Sequence, residues 1–528
     1  MNRYYRLIVI ILLFSLTAGL LSGCRGEELL VLRFPLEAEP LQLDPQVASD
    51  RASVTVLTEL FEGLTVLGPD GSAIPAAADW TLSEDQLIYT FTLREAVWSD
   101  GGPVTAADFL FAFKRLLSPG THSVHAAKLF EITGAEEFWR GEGDFSEAGI
   151  KAIGSKTLTI CLSAPNEDFP RKLAASPFFP CNHAFFEQTG GRYGLETEYL
   201  IGNGPYQLTG WSHGERITLK KSPEYRGEAE ILPDEVRFYM DADGDPLDLL
   251  TSGQLSAAEI TAEQAAEPPT GIRVERMNDR IRYLWINNAL PLFQSEKLRQ
   301  SLRDGLEWEI LNRQLDGKTA KPAEGYLPPD TTLDGVIYRT GANRLSFTTD
   351  SAAGDRFREG LRETGISQPA IALLCADDRA SVEYAQYIAQ SWQKNLQLFV
   401  TLESLAPDVL AARLLVGNYQ LAVFPLTTAG DTAAAGLSVF AGTAGEGNLA
   451  HYTDDAFIAG CAMLRGGGDT REAAEEWERR LYEACPAVPL AFETRYFGIS
   501  EKLDGLRIHP FNGGSYGSPY DFYQTEKK

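Results

Sequence analysis

The 528-residue chain carries 47 lysines and arginines against 73 aspartates and glutamates, a formal charge of −26. So acidic a surface repels nucleic acid and anionic lipid headgroups, which excludes both as expected partners. Apolar residues make up 44% of the chain, enough for a large core, and the length exceeds what one core serves, so two or more lobes are expected.

Arg3 and Arg6 precede an apolar run from Leu7 to Leu21, and Leu21-Ser22-Gly23-Cys24 follows. A basic start, a short apolar stretch and small residues describe a secretory signal. As a helix the run rises only about 22 Å, short of the roughly 30 Å hydrocarbon core of a bilayer. Small residues before a cysteine resemble the bacterial lipobox, in which Cys24 receives a lipid and becomes the new N-terminus. An ordinary signal peptide with an incidental cysteine is the plainer alternative. Loss of residues 1–23 takes Arg3 and Arg6 and no acid, so the charge moves from −26 to −28. Residues 24–28 then form a short tether that holds the body close to the membrane.

Beyond the leader, Leu29 to Phe34 is a first apolar run, and Glu59 to Leu64 closes a helix with Gly63 as its stop. Leu87, Tyr89, Phe91 and Leu93 alternate with Ile88, Thr90, Thr92 and Arg94, the period of a half-buried strand. Ser99-Asp100-Gly101-Gly102-Pro103 breaks it. Thr105 with Asp108 three residues on predicts a capped helix, whose face is Phe109, Ala112, Phe113 and Leu116. Thr157–Leu162 and Arg282–Asn288 read as further strands, and the second leads to a helix bearing Leu298, Ser301, Leu302 and Leu306 on one face. From Ile371 to Pro425 the pattern is strand, helix, strand, helix, strand, which predicts a doubly wound lobe. Pro489–Phe497 is extended again and would cross back. Cys161, Cys181, Cys375, Cys461 and Cys485 include no C-x-x-C pair, so a structural zinc site is not expected and buried thiols are. Cys461 and Cys485 lie in consecutive helical stretches and could face each other.

The wording of one stretch is specific. Trp80…Ser83…Asp85, Tyr89–Arg94 and Trp98–Asp108 stand in the order W-x-x-S-x-D, Y-T-F-x-L-R, W-S-D-G-x-P-V-T-A-x-D. This resembles family 5 of the extracytoplasmic solute-binding proteins, which serve peptide- and nickel-type ABC importers. Leu43-Asp44-Pro45, Glu62-Gly63-Leu64, Gly202–Tyr206 and the tail from Pro510 to Gly517 resemble further motifs of that family. Asn203 replaces a usual threonine, and Ser256 a usual aspartate. The resemblance implies an α/β, two-lobed periplasmic-binding-protein-like fold of the class II type, with an α+β subdomain inserted in the N-terminal lobe. Residues 29–272 and 488–528 would form the first lobe, with the insertion at about 46–195, and residues 273–487 the second.

It further implies a non-enzymatic, monomeric binder that captures a peptide or peptide-like ligand between lobes by hinge closure and delivers it to an ABC permease and its ATPase. Nickel complexes, haem or oligosaccharides, or a surface sensor without a transporter, are the alternatives. On the family's pattern Glu39 enters the cleft, or is an ordinary surface glutamate; His125 stands near a binding tyrosine, or caps a helix. Tyr283 and Trp285 share one face of a strand that is either cleft wall or core, and Phe511 and Tyr516 carry the same ambiguity in the tail. Many peptide binders carry an acid for the ligand's ammonium after the strand equivalent to Tyr419–Pro425. A gapless count puts Ala429 there, which implies no preference for a free N-terminus unless Asp431 or Glu39 takes over.

No cofactor is expected. Gly513-Gly514-Ser515-Tyr516-Gly517 matches G-x-S-x-G, but no histidine follows it. Asp241–Ser252 fails as a calcium loop, with its glycine too early and no glutamate at its end. His122 and His125 lack neighbouring ligands for a metal.

Overall fold

The computed structural model describes residues 29–527 except 37, 68–72, 168, 228–230, 241, 316, 334–335, 342–343, 368, 429–431, 443–447, 465–469, 507 and 509–525. Cys24, Asp431, Phe511 and Tyr516 therefore lie outside the described residues, as does Ala429.

The first strand, Val31–Pro35, buries Leu32 and Phe34 completely. It pairs in parallel with Glu235–Tyr239, and the antiparallel strands Arg216–Lys221 and Tyr206–Ser212 complete a four-stranded sheet. Parallel neighbours need a long connection. Here the intervening chain builds a second, antiparallel sheet in the order Ala78–Leu82, Ile88–Leu93, Thr157–Cys161, Ile150–Ile153. Tyr89, Phe91 and Leu93 are buried as their alternation predicts, with Ile88 on the open face. Gly101, at φ 87°, makes the tight turn that follows. The helix Ala106–Leu117 then starts where Asp108 Oδ2 accepts the Thr105 N–H at 2.8 Å, and it buries Phe109, Ala112, Phe113 and Leu116. From the same helix Arg115 clasps Asp44 with Nη2···Oδ2 2.6 Å and Nη1···Oδ1 3.1 Å, both side chains buried. The Leu-Asp-Pro segment is thus fastened to the inserted sheet's helix.

One helix end differs from its sequence reading. The helix Arg51–Leu60 stops before Gly63. Its end is sealed from a distance: a Cβ on Gly202 would stand 2.0 Å from the Leu60 carbonyl oxygen, and Gly204 N donates to that oxygen at 3.0 Å. Between them, Asn203 Oδ1 accepts the Glu62 N–H at 3.0 Å while its Nδ2 donates to the Glu62 carbonyl at 2.9 Å. Only glycine permits such close approach of two backbones.

The larger sheet runs Ala257–Ile260, Ala487–Ser500, Ile272–Ile286, Leu421–Thr427, Ile371–Ala376, Val400–Leu405, with Ala320–Pro322 also paired to Ala487–Ser500. The last three strands of that order are mutually parallel and joined by the helices Arg379–Asn395 and Pro407–Leu415, the expected doubly wound unit. The strand Val400–Leu405 is preceded by a left-handed residue, Gln397 at φ 57°. Ser256 joins the two large sheets: its N–H donates to Arg33 O at 2.7 Å and its Oγ accepts from Arg33 N at 2.9 Å.

Two strands, Ile272–Ile286 and Ala487–Ser500, run antiparallel through both halves of the molecule. Met277 and Phe497 pack in the first core, whereas Ile281 and Phe492 pack in another. A third apolar cluster lies behind the second, from Leu284 and Ile286 to Val488 and Leu490. Among the described residues Cys161, Cys181, Cys375, Cys461 and Cys485 form no disulfide, and all but Cys161 are buried. No helix among the described residues is long and apolar enough to cross a membrane.

Candidate functional site at the crossing between lobes

The register of the two long strands slips where the cores divide. Met277 pairs with Arg495 and Arg280 with Glu493, so Asn278 and Asp279 together oppose Thr494. Such a two-against-one bulge sharpens the local twist and bends its strand. Asn278 is fixed on both sides: its N–H and Nδ2 donate to Asp330 at 2.6 and 3.0 Å, and its Oδ1 accepts from Thr494 Oγ1 at 2.8 Å. Asp279 turns inward and is fully buried against Arg495. Beyond the bulge Arg282 pairs with Glu493 and donates to Ser381 Oγ at 2.6 Å. The strand Leu421–Thr427 ends alongside, Arg280 facing Thr427 across the ladder.

On the first lobe a cavity of about 190 Å³ opens beside this crossing, lined by Pro35, Arg51, Leu249, Leu255, Glu259 and Phe497 among others. Pro35 and its parallel partner Tyr239 end their strands at the same edge, and the carboxyl ends of parallel strands are where ligands of open α/β sheets sit. Glu259 is opposite Phe497 in the ladder, and the Arg495 guanidinium lies 5.2 Å from the Phe497 ring centre. A broader depression of about 500 Å³ lies on the inserted sheet. All of its walls come from residues 110–153, so it does not meet the crossing.

The residues singled out from sequence fall in different places. Glu39 lies on the first lobe, where Oε1 accepts from Trp211 Nε1 at 3.1 Å and also meets His213 Nδ1, and Oε2 accepts from Gly214 N at 3.1 Å. His213 Nε2 reaches Glu196 at 3.2 Å, so one imidazole bridges two carboxylates. Those hydrogen bonds, Glu39's first, hold the His213 pKa above its usual value. His125 is buried, with Nε2 2.9 Å from Ala48 O and Nδ1 without a hydrogen-bond partner. Burial, helped by the charge on Lys128, pushes its pKa down to about 4, so it is neutral at pH 7. Tyr283 and Trp285 share a face as their alternation predicts. That face is the second lobe's core, where Tyr283 donates to Tyr326 O and Trp285 Nε1 to Phe424 O, both at 3.0 Å, with Phe440 packed against both rings. Asp279, Arg495 and Glu259 escaped the sequence reading. The available signal was the charge itself, an acid and a base each set inside an extended run that otherwise reads as strand.

The described residues contain no cluster of side chains that could hold a metal ion, and the arrangement has no nucleophile beside a base. It offers a bending point, a lined cavity and charged groups held in fixed places, which suits binding.

Comparison with known proteins agrees. The chain matches the model for bacterial extracellular solute-binding proteins, family 5 middle, over residues 74–448. The dipeptide-binding protein DppE of Bacillus subtilis is 30% identical over 379 residues, covering 71% of this chain and 70% of that protein. The oligopeptide-binding protein OppA of the same organism is 26% identical over 554 residues, covering 98% and 99%. Among solved structures, Listeria monocytogenes OppA bound to peptide superposes with a TM-score of 0.77 at 21% identity, over 95% of this chain and 99% of that one. The fold is accordingly the two-lobed α/β fold of periplasmic peptide-binding proteins. The chain belongs to the bacterial extracellular solute-binding proteins of family 5, transport proteins that bind a substrate and do not transform it.

Proposed function

We propose that this chain is the peptide-binding component of an ABC importer, anchored outside the cell membrane by a lipid on Cys24. It captures a peptide or peptide-like ligand between its lobes, closes on it and presents it as a monomer to the permease. The observation that carries the reading is the paired-strand crossing with its bulge at Asn278–Asp279. Two backbones that bend at one register position let two separately packed cores swing as units, the hinge device of two-lobed binders. The relatives DppE and OppA, named for dipeptide and oligopeptide binding, support peptide as the ligand class. Phe511, Tyr516 and Asp431 are proposed to contact the ligand, and Glu39 and His125 to shape loops of the first lobe. The lobe boundaries proposed lie at the bulge, a few residues from those read in the sequence, so that residues 280–493 form the second lobe, where Phe492 packs with Ile281, and Val488 and Leu490 with Leu284.

The direct test is to identify what the protein carries. Purified from its own cells, it should release peptides on denaturation, detectable by mass spectrometry. Peptide resupplied at 100 times its dissociation constant should add about 2.7 kcal/mol of stability in a thermal-shift series. Release of a haem, metal chelate or sugar instead, with no shift by any peptide, would overturn the reading.

A further inference from the structure

The cavity beside the crossing contains a carboxylate with no assigned task. Glu259 lines it from the strand Ala257–Ile260. Its side chain is 40% exposed, and among the described residues its carboxylate makes no hydrogen bond. The nearest cation is Arg495, whose Nη1 stands 3.9 Å away, beyond hydrogen-bond reach. Two of the three guanidinium nitrogens are committed, since Nε and Nη2 both go to Asp279 at 3.2 and 2.7 Å, while the buried Nη1 that faces Glu259 has no hydrogen-bond partner among the described residues. One guanidinium thus stands against two carboxylates, a formal excess of one negative charge at the cavity's edge. Among the described residues the other ionic side chain on the cavity wall is Arg51, at the start of the helix Arg51–Leu60. The rest of the wall is apolar: Pro35, Pro246, Leu249, Leu255 and Phe497. The cavity therefore has a polarity, with an acid on the hinge side and a guanidinium on the helix side.

Glu39, the acid that sequence pointed to, is occupied by Trp211, His213 and Gly214. We infer that the carboxylate of Glu259 receives a primary ammonium group of the bound peptide. This rests on the reading of the chain as a peptide binder. The ammonium could belong to the peptide's N-terminus or to a lysine side chain, since both present the same three donors. Hydrogen bonds to charged groups in a partly desolvated site are about twice as strong as neutral ones.

Four tetrapeptides of otherwise identical sequence separate the sources: free or N-acetylated at the terminus, and lysine or norleucine at the first residue. Their affinities are measured by calorimetry for the wild type, Glu259→Gln and Glu259→Asp. The wild type should bind at least one ammonium-bearing member of a matched pair more tightly than its uncharged counterpart. Glu259→Gln should remove that preference, weakening the charged peptide by about 10- to 100-fold and leaving the uncharged one unchanged. Glu259→Asp, which keeps the charge on a shorter stem, should retain part of it. Loss of the free-versus-acetylated difference assigns the terminus, and loss of the lysine-versus-norleucine difference assigns the side chain. If Glu259→Gln binds all four as the wild type does, this inference is overturned and the peptide reading stands. If the wild type binds none of them, the peptide reading falls and takes the inference with it.

Discussion

Asp279 and Arg495 form a buried ion pair at the point where the two long strands leave one core for the next. Arg495 Nη2 donates to Asp279 Oδ2 at 2.7 Å and Nε to Oδ1 at 3.2 Å, with exposures of 0% for Asp279 and 2% for Arg495. The pair comes from different strands, so it ties the bulged residue to its neighbour while leaving Thr494 opposite the bulge. Two buried charges are costly to desolvate, and leaving either alone costs more than having neither.

Single changes at this pair should accordingly be worse than the double change. Asp279→Asn or Arg495→Met alone should lower stability by about 3–5 kcal/mol, read as the shift of the urea midpoint. Asp279→Leu with Arg495→Met should recover part of the loss. Single variants within about 1 kcal/mol of wild type, the range of surface pairs, would show that the pair does not hold the crossing.

The two histidines should titrate in opposite directions. The His213 pKa is raised by Glu39 and then Glu196. Its contribution to stability is present in full below the unfolded pKa and is lost as pH rises through the higher folded value. Ring-proton NMR should place its midpoint above about 6.5, and Glu39→Gln should lower it. His125, pushed down to about 4 by burial, works the other way. The unfolded chain binds its proton first as pH falls, so stability should drop between about pH 6.5 and 4. His125→Gln should flatten that limb of the curve, and a limb of unchanged slope would count against a buried neutral imidazole.

Asn203 makes two backbone hydrogen bonds in the loop that seals the helix Arg51–Leu60. Its amide spans the N–H and C=O of Glu62, and Glu62 in turn accepts from Tyr225 OH at 2.9 Å. Asn203→Ala should cost about 1–3 kcal/mol by leaving buried backbone groups unsatisfied, with Asn203→Thr falling between. Equal thermal stability of all three would mean that the loop is held by Gly202 and Gly204 alone.

Much of this was legible beforehand because it rests on local patterns. The alternation at Tyr89–Leu93, the Thr105–Asp108 start and the strand-helix repeat after Ile371 each follow from residues a few positions apart. What escaped is long-range. Gly63 read as a helix stop because the glycines that seal Leu60, at 202 and 204, are distant in sequence. Tyr283 and Trp285 were placed on one face correctly, yet which side of a sheet becomes core depends on Tyr326 and Phe440, which no period reveals. Glu39 was visible as an acid near the cleft, but its engagement by His213 needed the fold. Glu259 and Arg495 drew no attention because a single charge in a strand carries no signature until its neighbours are known.

The anchor has its own test. Cys24→Ala should abolish incorporation of radiolabelled fatty acid and release the mature protein or leave it unprocessed. Equal labelling of wild type and variant would exclude the lipid on Cys24.

The central claim is that the lobes close on a ligand by bending at Asn278–Asp279 and Thr494, and small-angle scattering measures it most directly. With saturating peptide, shown to be bound by calorimetry on the same sample, the radius of gyration should fall relative to the ligand-free protein. The same radius with and without bound peptide would contradict a hinge at this crossing.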